Sequence, residues 1–215
     1  MLAHVVDTLR SVPAVKRVVV LAQDRRVMDV LETDVADFSQ SSSGISGSIA
    51  GVAGSQQAPW PVLVTTADHP LLTPEIVTAF LAGSGDCDLA VGMVERRTLE
   101  ASYPGNARTW LKLRDGQWTG ANLFALRNAN VRSALRLWSQ VEQDRKRALR
   151  LFRRFGLFLF LRALTRTIGM KEGLALAGSR LGLKARLVDL PFAQAAIDVD
   201  KPSDHTQVEE IFLRR

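Results

Sequence analysis

Disulfide chemistry, structural zinc and a membrane span are all missing from this chain. Cys87 is the one cysteine in 215 residues. That excludes an internal disulfide framework, and no Cys/His cluster supplies the spacing of a zinc site. His4, His69 and His205 have no mutual spacing that suggests a metal site, although His69 stands beside Asp68. The longest apolar stretch, GLFLFL at 156–161, is flanked by Arg153, Arg154 and Arg162. It falls far short of the ~20 residues needed to cross a bilayer. The first residues, MLAHVVDTLRSV, lack the basic region and long apolar core of a secretory signal. They instead space Leu2, Val5, Val6 and Leu9 along one face of a helix. A cytoplasmic protein is the expectation, with Cys87 a small buried residue at the start of a strand rather than a nucleophile.

What is present fits an ordinary globular chain. Apolar residues make up 47% and charged residues 23%. The length allows one domain with a real core, spanning 1–215, and makes two full domains unnecessary. The net charge of +6 is unevenly placed: eleven Lys or Arg fall between Arg127 and Arg166, opposed by Glu142 and Asp144 alone. A partner for that charge should meet this segment, unless it is simply a solvated helix face.

Two acidic segments 130 residues apart carry the chemistry: Asp68 in PVLVTTADHPLLTP, and Asp198 with Asp200 in AAIDVDKPSDHTQVEEI. Each follows a short apolar run and precedes a proline and a helical pattern, so each carboxylate should sit where a strand gives way to a turn. Open α/β sheets bind ligands at such strand ends. Carboxylates converging there would repel by about 4 kcal/mol per pair at ~4 Å and an effective dielectric of ~20, unless a cation lies between them. Mg²⁺ is usually held by one or two carboxylates together with substrate phosphates, which suits this sparse set. Turn capping by Asp68 and Asp198 is the plainer alternative.

Apolar runs at 17–22, 61–66 and 88–94 alternate with helical patterns at 25–31 and 74–81, the signature of a parallel sheet covered by helices. TWLKLRDGQWTGANLFAL at 109–126 reads as a hairpin turning at Asp115-Gly116. A helical section follows at about 129–180, then strand-like runs at 185–190 and 195–199, and a final helix from Ser203. The Ser/Gly-rich stretch 39–57 is a flexible linker by composition. Yet Ile45, Ile49 and Val52 keep helical spacing within it, so a small-residue helix whose start holds a phosphate or a base edge is the competing reading.

Taken in order, TTADHPLLTPEIV, TGANLFAL and AIDVDKPSDHTQVEEI resemble the MobA-like NTP transferases, the nucleotidyltransferase branch of the GT-A fold. The resemblance spans nearly the whole chain. It implies a three-layer, Rossmann-like α/β fold with a mostly parallel sheet, helices on both faces and a helical insertion at about 129–180. It implies an enzyme that transfers a nucleotidyl group from an NTP to a phosphorylated acceptor and releases pyrophosphate. By the same resemblance Asp68 and Asp198 are the catalytic residues and hold Mg²⁺, with Asp200 as a further ligand. Ser46, Gly47 and Ser48, with Asp68, would bind the nucleotide; Gly120, Ala121 and Asn122 would face the acceptor. Lys112, from the alternating Trp110, Lys112, Arg114, is either a positive charge near phosphates or an exposed strand residue.

The family also opens with a strand and a glycine-rich LAGGxGxR-type loop that wraps the triphosphate, and nothing here resembles them. MLAHVVDTLR matches the helix after that loop. The family strand lies between those matching 17–22 and 61–66, so two strand edges are expected to be unpaired or forced together. Each unsatisfied buried backbone group costs about 1–3 kcal/mol. A shortened, weakly stable and nearly inactive chain is the expectation.

Trp138, Val141, Ala148, Leu149, Phe152 and Phe155 recur at helical spacing among arginines. The stripe suits core packing, or, with GLFLFLRALTR, a peripheral membrane contact through 145–166 near a lipid-linked acceptor. A GT-A glycosyltransferase and a non-catalytic basic binding module are the competing functions. No RNA- or DNA-binding motif is present, and no nucleic-acid partner is expected.

Overall fold

Strand β6 (Gly116–Leu126) runs through the larger sheet, and the alternation of its side chains sets the two faces. The computed structural model describes residues 1–42, 44–105, 108–143 and 157–213. Ala121 and Leu123 belong to the main core, with Val5 and Val12 near helix α1 (Leu2–Ser11) and Ile76, Val77 and Phe80 of helix α3 (Pro74–Ser84). Phe124 and Leu126 face the other way, onto Ile49 of helix α2 (Ile45–Val52) and Leu135 of helix α5 (Arg132–Gln143). The sheet is thus sandwiched between helices, the three-layer α/β arrangement implied by the sequence resemblance.

The larger sheet runs in the order β3 (Val62–Val64), β6, β4 (Leu89–Glu95), β7 (Ala185–Asp189), with β5 (Leu111–Leu113) paired to β6. β6 is antiparallel to β3, β4 and β5, while β4 and β7 are parallel. All strands of this sheet except β6 therefore share one direction. The β5–β6 hairpin turns at Arg114 and Asp115, and Gly116 takes φ +144°, a conformation that side chains disfavour.

A second, two-stranded sheet pairs β1 (Val19–Ala22) in parallel with β2 (Asp37–Gln40). Among the described residues β1 pairs only with β2, and β3 only with β6. Of the two outcomes expected for these strands, unpaired or forced together, the structure takes the unpaired one. Leu21 of β1 still packs in the same apolar cluster as Val62 and Val64 of β3, so side chains bridge where the ladder does not.

Among the described residues, the section expected to be helical after Ala129 comprises a 3₁₀ turn (Ala129–Val131), α5, α6 (Leu157–Leu164) and α7 (Met170–Arg180). Ala148, Leu149, Phe152 and Phe155 lie outside the described residues. The run 195–199, read as a strand, begins in a 3₁₀ turn (Ala193–Ala196) and continues without a ladder. Its small residues are buried, Ala195 and Ala196 at 1% exposure, and Ala195 N–H and Ile197 N–H bond locally to Phe192 and Gln194. Local turn bonds have replaced strand pairing. The polar strand β2 and helix α4 (Arg96–Ser102) had no apolar signal to announce them. The final helix α8 runs Pro202–Leu213.

Candidate active site

Asp68 lies in the turn between β3 and α3. Helix α3 fixes the far end of that turn: Thr73 caps it by accepting from Ile76 N–H, and Pro74 and Glu75 favour its first turn. Leu71 and Leu72 are buried at 1% and 0% exposure, which anchors the segment in the main core. The second acidic segment is joined directly to the first, because Val199 N–H donates to the Asp68 carbonyl at 3.0 Å. Ile197, buried beneath, leaves Asp198 emerging at the rim. Folding therefore brings the Asp68 and Asp198 segments to one place.

Both oxygens of Asp198 are held. Arg108 Nη1 donates to Oδ1, and Asn122 Nδ2 donates to Oδ2 at 2.9 Å. The ion pair is well covered, with the Arg108 side chain 15% exposed and that of Asp198 17%. Asn122 reaches its partner through an irregularity in β6: Val91 opposes Phe124 and Met93 opposes Gly120, so β6 carries extra residues here. Asn122 sits in that bulge with φ +49°, a conformation asparagine tolerates better than most side chains.

Asp200 is exposed, and its carboxyl is pushed above the usual range, first by the charge of Asp198, then by burial, then by Asp68. Asp198 and Asp68 thus both act on Asp200 through space. His69 is buried at 1% exposure, and burial depresses its pKa against the pull of the Gln194 backbone and of Asp198 and Asp68. A neutral ring is the result.

The unsatisfied atoms gather here. Among the described residues, the buried side-chain atoms without a well-formed hydrogen bond in the protein are Thr65 Oγ1, Thr66 Oγ1, Asp68 Oδ1, both His69 ring nitrogens and Arg108 Nε. The Gln194 backbone approaches His69 without completing good hydrogen-bond geometry. Buried polar groups are normally paired, so a cluster of open donors and acceptors around acids is where a polar ligand fits. Among the described residues no group of three or more His, Cys, Asp or Glu is arranged to hold a metal. Two carboxylates and substrate phosphates would suffice for Mg²⁺, and the open Oδ1 of Asp68 suits that role. An open depression of about 540 Å³ flanks Asp200, lined by Val199, Lys201, Pro202, His205 and Thr206.

The other residues singled out from the sequence lie as follows. Ser46 is fully buried at the start of α2, where its hydroxyl donates to Glu142 Oε2 at 2.6 Å and its N–H reaches the same oxygen at 3.3 Å. Ser48 donates to the Gly44 carbonyl at 2.8 Å and accepts from Ser42 N–H at 3.0 Å. Gly44, at φ +95°, would place any Cβ 2.9 Å from the same Glu142 oxygen. Gly47 is half-buried within α2. Lys112 is exposed on β5 opposite Gln117. Gly120 is exposed, with open space where a side chain would stand. Thr65, Thr66 and Arg108 escaped sequence reasoning. The threonines lay within the TTADHP motif, whereas Arg108 had no signal beyond being one of 28 basic residues.

The family pattern of the MobA-like NTP transferase domain matches residues 1–155. The chain belongs to this family. It is accordingly a nucleotidyltransferase with a GT-A-like fold. A hypothetical transferase of Thermus thermophilus superposes with a TM-score of 0.80 at 29% identity, over 95% of this chain and 85% of that one. The 4-diphosphocytidyl-2C-methyl-D-erythritol synthase of Anaerococcus prevotii gives a TM-score of 0.58 at 12% identity, over 100% and 89% of the two chains. A CMP:2-keto-3-deoxy-manno-octonic acid synthetase complexed with CTP gives 0.60 at 16%, over 99% and 87%. The last two likenesses speak to the fold. No protein of curated function matches the sequence.

Proposed function

We propose that this MobA-like NTP transferase moves a nucleotidyl group from an NTP to a phosphorylated acceptor, releasing pyrophosphate, at the site formed by Asp68, Asp198 and Asp200. The gathering of unpaired buried polar atoms on Thr65, Thr66, Asp68, His69 and Arg108 carries this reading. Asp68 and Asp198 would hold Mg²⁺, with Asp200 beside them. When bound, Mg²⁺ would supply Lewis-acid polarisation at the α-phosphate. Asn122 fixes the orientation of Asp198, the hydroxyls of Thr65 and Thr66 offer donors to phosphate oxygens, and His69 adds no charge. No covalent enzyme intermediate is needed, because positioning and charge neutralisation are enough for transfer between phosphates. Incubation with each NTP, Mg²⁺ and a panel of phosphorylated sugars and alcohols tests the reading through pyrophosphate release. Acceptor-dependent release supports it, and its absence with every pair opposes it.

A lipid-linked acceptor is favoured by one specific surface. Phe158, Leu161 and Leu164 of α6 are 69%, 45% and 67% exposed, and the Arg162 guanidinium lies 5.7 Å from the centre of the Phe158 ring. Exposed apolar side chains on one helix suit a bilayer surface, while Arg162 itself is ion-paired with Glu172 at 2.6 Å. No helix among the described residues is long and apolar enough to cross one. Co-sedimentation with anionic vesicles should be lost in Phe158→Asp; binding indifferent to anionic lipid would remove the reading.

A further inference from the structure

We propose that Arg108 is a phosphate-binding residue of this site, held against Asp198 until substrate arrives and transferred to nucleotide phosphate oxygens when a divalent cation takes Asp198. The inference rests on the nucleotidyl-transfer reading and concerns a residue that the motifs did not mark.

The geometry of the arginine points this way. Its Nη1 is committed to Asp198 Oδ1, while its Nε, buried in the same place, has no acceptor. A guanidinium serving only as a structural strut would have its donors satisfied, because an open buried donor is a standing cost. Open groups also stand on Thr65, Thr66, Asp68 and His69, and the charge of Arg108 is felt at His69. Most of these can donate, and a phosphate is rich in acceptor oxygens that match the fork of a guanidinium.

Charge supplies the second half of the argument. Arg108 is the cation whose field reaches both His69 and Asp200 among the acids of the site. A dication and a guanidinium on the same carboxylate oxygen repel each other, so they compete for Asp198 Oδ1. Asn122 is neutral and holds the other oxygen, so it keeps Asp198 oriented whichever cation is present. Once displaced, the guanidinium needs an anion, and the phosphates that accompany the metal provide it. In the empty site Arg108 offsets part of the repulsion among the three acids; in the filled site it faces the nucleotide.

Three measurements on the whole chain test this: Mn²⁺ binding without nucleotide, read from the electron-paramagnetic-resonance signal of free Mn²⁺; binding of each NTP in the presence of Mn²⁺; and thermal melting to establish folding. Arg108→Met should bind Mn²⁺ several-fold more tightly than the wild type while binding nucleotide roughly tenfold more weakly, the loss of a charge-assisted hydrogen bond. Asp198→Asn added to Arg108→Met should abolish the gain in Mn²⁺ affinity. Arg108→Lys, which keeps the charge and serves should the methionine variant fail to fold, should retain near-wild-type Mn²⁺ affinity and lose nucleotide affinity with the fork. Unchanged or weaker Mn²⁺ binding in Arg108→Met, or nucleotide binding unaffected in both variants, overturns the inference while leaving the transferase reading in place. A folded wild-type chain that binds neither Mn²⁺ nor any Mn²⁺–NTP overturns both.

Discussion

Asn122 Nδ2 donates to Asp198 Oδ2 at 2.9 Å, across 76 residues of sequence and from a left-handed position in a strand bulge. A non-glycine residue held in that conformation, with its side chain on a carboxylate, is kept for that contact. Asn122→Ala should lower stability by about 2 kcal/mol, from a lost hydrogen bond to a charged group and the cost of the left-handed backbone. Asn122→Gly should recover the backbone part but not the transfer rate, which falls by about tenfold in both variants. Urea unfolding and initial rates separate the two terms. Equal stability of the alanine and glycine variants would contradict the backbone argument.

Glu142 occupies the start of α2, the same segment in which Ser46, Gly47 and Ser48 were expected to meet the nucleotide. Its carboxylate takes the Ser46 hydroxyl and faces the helix terminus where an anion is favoured. Glu142→Ala should cost about 1–2 kcal/mol in urea unfolding, because the fully buried Ser46 loses its partner. Glu142→Gln, which can still accept, should cost less. Unchanged stability in the alanine variant would show that the contact contributes nothing.

Asp88 joins three parts of the chain: one oxygen accepts from Asn128 and Asn130, and the other from Lys184 N–H. These contacts, the Lys184 backbone first and then Asn128, hold its carboxyl below the ordinary 3.8. A carboxyl whose folded value is depressed contributes stability in full above its unfolded value and loses it as pH falls through the folded one. The stability difference between wild type and Asp88→Asn should therefore be constant near neutrality and shrink below about pH 4. A difference independent of pH down to pH 2 would contradict this. Denaturant midpoints across the acid range provide the measurement.

The sheet was legible where apolar runs were strong. The runs at 17–22, 61–66 and 88–94 became β1, β3 and β4, and Asp115-Gly116 marked the hairpin because Gly116 takes a backbone conformation other residues avoid. Strand β2, with the sequence DFSQ, was hidden because an edge strand with one neighbour needs little apolar character. The run 195–199 misled because burial of small residues looks alike in a strand and in a 3₁₀ turn. Asp68 and Asp198 stood out as acids at the ends of apolar runs, and the Val199 to Asp68 backbone bond joins their segments. Arg108 was illegible, since its meaning comes from a partner 90 residues away and from an Nε left open.

The central claim is that Asp68 and Asp198 form one cation-holding site for an NTP. Equilibrium dialysis of NTP against the wild type, with and without Mg²⁺, beside Asp68→Ala and Asp198→Ala, measures it most directly, with melting curves to show that each variant folds. The account predicts Mg²⁺-dependent nucleotide binding in the wild type, reduced at least about tenfold in either folded variant. Binding that is independent of Mg²⁺, or that survives both substitutions, would contradict it.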